Sequence, residues 1–349
     1  MSADSMRAVY IDGKDRIAVR EAAVPDTGDG EVRIRVQQVG ICGSDLHYFF
    51  EGANGEYAVR EPLIPGHEMS GVVDVDPRGE FAPGTPVTVH PARFGTEVPG
   101  TQGQPHVWPG GSYLGSAATM PHTQGAMADL LVVDRGMVRV LPDGLDTAGA
   151  VLAEPLGVAL HGATRAGDLT DARVLVSGAG PIGLLAVAAA RARGAAHVTA
   201  SDMLDEPLER ARTMGADAVV RVGRDELTAE AFDVVLECSG APAAISSAGA
   251  AVRRRGVVVQ IGMVPNTPQG VNLAPFISKE VDLRGAFRFR EEIDEAVALL
   301  AERPEIGAVV THVVPVADVH GAFDVARDSK VSGKVVVSFE AHGHEQHGD

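Results

Sequence analysis

Two short blocks carry the side chains with the greatest chemical reach. Gly40-Ile41-Cys42-Gly43-Ser44-Asp45-Leu46-His47 offers a thiol, a hydroxyl, a carboxylate and an imidazole in one run. Gly66-His67-Glu68-Met69-Ser70-Gly71 adds an imidazole beside a carboxylate. A cysteine thiolate, a histidine and carboxylates are a donor set for zinc, a borderline-soft ion that favours tetrahedral coordination. Cys42 and His67 lie in separate segments, so only a fold can bring them together. On spacing alone, a buried structural cysteine and a core histidine stay open as the plainer reading.

A second constellation points to a nucleotide. Gly178-Ala179-Gly180-Pro181-Ile182-Gly183 follows an apolar run and opens an Ala-rich one. Gly178 permits a tight turn, Gly180 lets backbone approach a pyrophosphate, and Gly183 lets helix and strand pack closely. Pro181 and Ile182 start the helix whose N-terminal N–H groups and dipole would face the phosphates. Asp202 follows about 20 residues on, where a carboxylate accepts from the adenosine ribose hydroxyls. A carboxylate there repels a 2′-phosphate, and Met203-Leu204-Asp205 offers no adjacent cation, so NAD is expected over NADP.

The elements that must hold these residues divide into two textures. Before residue 150 the chain is mainly strand and loop. Two strands over 7–21 flank the turn Asp12-Gly13, Glu31 to Val39 alternates apolar and polar residues, and Gly71–Val75 and Pro86–Val89 are further strands. The Gly- and Pro-rich stretch 91–125 is a long loop of the kind that carries function. From Arg173 strands and helices alternate. Strands are expected at Val174–Ser177, His197–Ser201, Phe232–Glu237, Gly256–Ile261 and Val281–Ala286, and helices at Pro181–Arg193, Asp205–Met214 and Ala241–Arg253. Such alternation implies a parallel sheet with right-handed crossovers. A helix at Glu291–Glu302 and a strand at Lys334–Phe339 follow, and residues 340–349 read as a polar, flexible end.

Composition removes several classes. The net charge of −17 repels nucleic acid and anionic membranes, so neither is an expected partner. No apolar run reaches membrane-spanning length, and the first residues lack a secretory core, so the cytoplasm is expected. The two cysteines, Cys42 and Cys238, are too few and too far apart for a disulfide framework. Cys238 is expected to pack near the cofactor rather than to react.

Together these blocks resemble the medium-chain dehydrogenase/reductase family, its zinc-containing alcohol and polyol dehydrogenases. Glu154-Pro155-Leu156 and the terminal Ser332-Gly333-Lys334-Val335-Val336-Val337 extend the likeness along the chain. The resemblance implies an α/β fold: a doubly wound parallel Rossmann sheet joined to a mainly-β GroES-like catalytic domain. The catalytic domain would span 1–150, the NAD-binding Rossmann domain 151–290, and 291–349 would return to the catalytic domain. The active site would lie in the cleft between them.

It further implies that Cys42 and His67 ligate a catalytic zinc and that Glu68 ligates or closely approaches it. Glu154 stands where alcohol dehydrogenases of the family carry a cysteine ligand and polyol dehydrogenases a glutamate, which points to the polyol branch. Asp45 would orient the imidazole of His67 from behind. Ser44 would receive the alcohol proton, with the cofactor ribose and His47 as onward carriers. Many members also carry a four-cysteine lobe with a structural zinc. The corresponding stretch has no cysteine, and His90, His106 and His122 are poor substitutes, so one zinc per chain and no structural zinc are expected.

Within the family, His47-Tyr48-Phe49-Phe50-Glu51-Gly52, Gly55 and Gly66-His67-Glu68 resemble the blocks of members that act on sugar acids, the first of them shared with sorbitol dehydrogenases. This resemblance implies a small sugar acid or polyol as substrate: L-idonate oxidised to 5-ketogluconate, with sorbitol or xylitol as the alternative. A sugar acid needs a cation for its carboxylate, and Arg288 is the first candidate, with Arg93 in the long loop as the second. Tyr48 is expected to line the pocket, with core packing as its alternative. The family usage implies a homo-oligomer, a tetramer or dimer. A catalytically silent NAD-binding protein is the competing class, which the intact ligand and relay set argues against.

Overall fold

The computed structural model describes residues 5–340, so nearly all of the polar end lies outside the described residues. The hairpin Ser5–Gly13/Arg16–Ala23 precedes a seven-stranded sheet with the path Val138–Val140, Pro86–Val89, Glu68–Val75, Glu31–Gly40, Lys334–Ser338 and Val310–Pro315; Leu130–Asp134 pairs with Glu31–Gly40 off that path. Glu31–Gly40 is central because its alternating Val32, Ile34 and Val36 are all buried. The last two strands come from the C-terminal part of the chain, and Lys334–Ser338 pairs antiparallel with Gln38–Gly40.

The second sheet has six strands, all parallel, in the path Ala218–Arg221, His197–Asp202, Arg173–Ser177, Phe232–Glu237, Val252–Gln260 and Asp282–Gly285. The order reverses between Arg173–Ser177 and Phe232–Glu237, and ligands of doubly wound sheets bind in the crevice at that switch point. The Ala-rich helix Pro181–Ala192 buries Gly183 through Ala190 without a break. Small side chains let it lie close against the sheet. The architecture is thus a mainly-β unit joined to a doubly wound parallel sheet.

Several elements differ from the sequence reading. The strand expected at Gly71 starts at Glu68, because Glu68, Met69 and Ser70 pair with Gly40, Val39 and Gln38. That extension places Glu68 inside a sheet. The helix Ala153–Ala166, absent from the elements expected above, is buried along most of its length. The strands Ala218–Arg221 and Val310–Pro315 and the helix Val319–Arg327 are likewise additional. Ala218–Arg221 and Val310–Pro315 are only partly buried, so neither shows a strong apolar pattern.

Candidate active site

The helix Gly43–Glu51 begins directly after Cys42, which caps it, with Asp45 in its first turn. Asp45 is fully buried, and its two oxygens accept from the backbone N–H of Cys42 (2.9 Å) and of Gly66 (3.1 Å). It therefore clamps the two segments that carry Cys42 and His67. The resemblance implies that Asp45 orients the imidazole of His67; in the structure its hydrogen bonds go to backbone, and it reaches His67 through charge. Burial pushes the Asp45 carboxyl up, against the pull of His67.

The ligand atoms of Cys42, His67 and Glu68 all lie within 4.8 Å of one another. Glycine makes this possible: a Cβ on Gly40 would come within 2.2 Å of Glu68 Oε2. Lys334 Nζ donates to Glu68 Oε1 at 2.7 Å and to Ile41 O at 3.0 Å. The ammonium is equally near Glu68 Oε2, at 2.7 Å, but that buried oxygen accepts no directed hydrogen bond. Burial works against a charged His67, but the negative charge of Cys42, with Glu154 and Asp45, raises its pKa to about 10. A half-buried thiol beside a buried imidazole and a buried carboxylate, one oxygen of which is free of directed bonds, fits a zinc ion. Among the described residues it is the one group of three or more such side chains with this geometry.

Glu154, in the first turn of its helix, lies beside this cluster rather than within it. Its Oε1 accepts from Tyr113 Oη at 2.5 Å, and burial raises its pKa despite the opposing pull of His67. The Tyr113 and His67 rings form a T-shaped pair, with centroids 5.3 Å apart. Over the same ring, 4.0 Å from its centroid, sits the guanidinium of Arg288, which also stacks on Phe287 at 4.8 Å. Arg288 holds a left-handed backbone, φ 50°, unusual for a side chain other than glycine.

Other candidates are distributed as follows. Ser44 is half-buried in the first helical turn after Cys42. His47, on the same helix, is exposed and pairs through Nδ1 with Glu51 at 2.9 Å. Tyr48 is buried in the core of the β unit, where its hydroxyl accepts from Ala117 N at 3.0 Å. Arg93 is exposed and paired with Asp134. His122 accepts from Arg60 N, His90 pairs with the Arg290 carbonyl and His106 stacks on His161, so these three histidines are dispersed.

At the nucleotide motif, Gly178 has φ 90° and a Cβ on Gly183 would lie 1.8 Å from the Gly178 carbonyl oxygen. A Cβ on Gly180 would meet nothing within 4 Å, so the turn is open on the side where a phosphate would approach. Pro181 and Ile182 occupy the first turn of the helix. Asp202 accepts from Ala179 N (2.8 Å) and Leu204 N (3.0 Å), which ties the strand end to the glycine turn. Glu237, at the end of the neighbouring strand, is buried and accepts from Ser239 N and Gly240 N. Burial pushes the Cys238 thiol up, away from reactivity.

Sequence reasoning missed Tyr113, Lys334 as the partner of Glu68, Glu237 and Arg221. Arg221 lies in register with Asp202, and its guanidinium and that of Arg224 flank Asp205 at 3.5 and 3.2 Å. Cations absent from Met203-Leu204-Asp205 itself are thus brought beside it by the end of the next strand, and the preference for NAD rests on Asp202 alone. The sequence signals for Lys334 were its place in the terminal block Ser332–Val337 and a charged residue opening an apolar strand, neither of which names Glu68 as its partner.

The site and the two sheets define a zinc-binding dehydrogenase. The alcohol dehydrogenase GroES-like domain matches residues 28–143 and the zinc-binding dehydrogenase domain matches residues 181–302. The chain belongs to this family of NAD(P)-dependent zinc alcohol and polyol dehydrogenases and is an oxidoreductase. It is 33% identical to the L-idonate 5-dehydrogenase (NAD(P)(+)) of Escherichia coli K12, covering 95% of this chain and 98% of that one. It is likewise 33% identical to a sorbitol dehydrogenase of Bacillus subtilis, over 85% and 86% of the two chains. The crystal structure of the Escherichia coli L-idonate 5-dehydrogenase superposes with a TM-score of 0.91 at 31% identity, covering 96% of this chain and 98% of that one. No helix among the described residues is long and apolar enough to cross a membrane.

Proposed function

We propose that the protein is an NAD-dependent dehydrogenase of a sugar acid, oxidising the C5 alcohol of L-idonate to 5-ketogluconate. Cys42, His67 and Glu68 hold one zinc ion per chain, with Glu154 beside it, and there is no structural zinc. Zinc supplies a Lewis acid that lowers the pKa of a secondary alcohol, and the nicotinamide supplies a hydride acceptor. Gly178, Gly180, Pro181, Ile182 and Gly183 cradle the pyrophosphate, and Asp202 receives the ribose hydroxyls.

Ser44 accepts the alcohol proton, and His47, exposed on the next helical turn, delivers it to solvent. Asp45 holds the Cys42 and Gly66 backbones so that the ligands keep their places. Tyr48 supports the pocket wall from the core. The observation that carries the substrate reading is Arg288: a guanidinium fixed over Tyr113, whose hydroxyl bonds Glu154, sets a cation close to the reacting centre. It suits the carboxylate of a sugar acid. The protein works as a cytoplasmic homotetramer or homodimer on a small molecule.

A neutral polyol is the second reading, favoured by the sorbitol dehydrogenase likeness and by the ability of Arg288 to donate to hydroxyls. The test follows the near-ultraviolet absorbance of the reduced cofactor, with NAD⁺ or NADP⁺ against L-idonate, sorbitol, xylitol and L-threonine, before and after chelation. A chelator-sensitive rate with NAD⁺, highest on L-idonate, is the expected outcome. Preference for a neutral polyol removes the sugar-acid assignment, and chelator-insensitive turnover removes the zinc mechanism.

A further inference from the structure

We propose that Tyr113 is a positioning residue that couples the carboxylate beside the zinc ligands to the cation that receives the far end of the substrate. The inference rests on the zinc and substrate reading above. Tyr113 belongs to the two-residue strand Ser112–Tyr113, which pairs with Ala92–Arg93 in the long loop of the β unit. Glu154 opens the helix Ala153–Ala166, and Arg288 follows the last parallel strand, Asp282–Gly285. Three segments distant in sequence thus meet at one aromatic ring, and each contact uses a different part of it.

The hydroxyl serves Glu154. A phenol this deeply buried needs a partner, and the one it takes is a carboxylate oxygen at 2.5 Å. With Oε1 engaged, the carboxylate is fixed in rotation, and no protein donor among the described residues occupies Oε2. That oxygen is left for the reacting centre. The ring face serves Arg288. Its guanidinium lies between Tyr113 and Phe287, and the residue keeps a left-handed backbone that needs such anchoring. The ring also packs against His67, the two planes inclined at 67°. Packing alone would need only the ring; the hydroxyl adds a directed bond to a functional carboxylate.

The two contacts separate by mutation. Tyr113→Phe keeps the ring and removes the bond to Glu154, whereas Tyr113→Leu removes the ring face as well. The variants are compared by zinc content, by the visible absorption of the cobalt-substituted enzyme and by kcat and KM on L-idonate and sorbitol. The expected Tyr113→Phe protein retains zinc, has shifted cobalt bands and loses roughly tenfold in kcat with KM within about twofold. Tyr113→Leu additionally raises KM for L-idonate roughly tenfold. A Tyr113→Phe enzyme with wild-type kcat and wild-type cobalt bands reduces Tyr113 to packing and overturns the proposal. If the wild-type enzyme turns over neither compound, the substrate reading fails by itself, and the cobalt bands of Tyr113→Phe still decide for or against positioning.

Discussion

Lys334 and Glu68 form a buried ion pair between the two strands that flank Glu31–Gly40 on either side, with exposures of 3% and 1%. Burial disfavours the charged lysine, but Glu68, Cys42 and Glu154 outweigh it and hold the ammonium above its ordinary value. The pair neutralises one carboxylate of a cluster dense in negative charge and fixes its orientation beside Cys42 and His67. A lysine in the strand Lys334–Ser338 thus serves as a supporting residue for the proposed metal ligands.

Removing the lysine leaves an uncompensated buried carboxylate. Lys334→Met is expected to cost about 3–5 kcal/mol of stability in the metal-free protein. Urea denaturation after exhaustive chelation measures it. A loss below about 1 kcal/mol would mean that Glu68 is neutralised without Lys334.

Gly183 tests the nucleotide turn. A methyl group there would collide with the Gly178 carbonyl, which is backbone and cannot rotate away. Gly183→Ala is expected to weaken NADH binding at least roughly tenfold while leaving zinc content unchanged. Titration by NADH fluorescence reads the affinity; wild-type affinity would show that the turn relaxes freely.

How much of this was legible follows from range. The glycine motif and the strand–helix alternation are local patterns, and they read correctly because backbone geometry dictates them. Cys42, His67 and Glu68 were legible as candidates by residue type, and Glu154 only by resemblance. What brings the first three together was not: the early start of the Glu68 strand, the room left by Gly40 and the reach of Lys334 all depend on pairing between remote segments. Tyr113 lies in a glycine-rich loop with no periodicity, and its partners lie beyond residue 150. Arg221 meets Asp202 only through strand register. Residue type and local pattern therefore reach the metal-ligand candidates and the glycine turn, whereas the residues that hold or flank them emerge only with the tertiary structure.

Acid stability should report a second buried pair. Glu292 accepts from His161 Nδ1 at 2.9 Å and from Arg290 N at 2.7 Å. Burial raises its pKa, but these hydrogen bonds more than offset that and lower it from 4.5 to about 2. A carboxylate depressed on folding contributes stability above its unfolded value, and that contribution is lost as pH falls through the folded value. The advantage of wild type over Glu292→Gln is therefore expected to be full at neutral pH and to shrink between about pH 4.5 and 2. Urea midpoints of both proteins across that window measure it. A difference that stays constant with pH would remove the charge of Glu292 from the account.

Arg288 bears most directly on substrate choice. Its guanidinium is held by two rings, so its donors point in a fixed fork that a carboxylate can engage in pairs. A neutral hydroxyl engages fewer donors and gains less charge assistance. Arg288→Ala is expected to raise KM for L-idonate by roughly tenfold or more and KM for sorbitol by less than about threefold. Arg288→Lys should not restore L-idonate binding, because an ammonium neither stacks flat nor presents the fork. Steady-state kinetics on both substrates give the ratio. Equal increases on both would show that Arg288 shapes the pocket without reading charge, and the substrate assignment would then move to the neutral polyols.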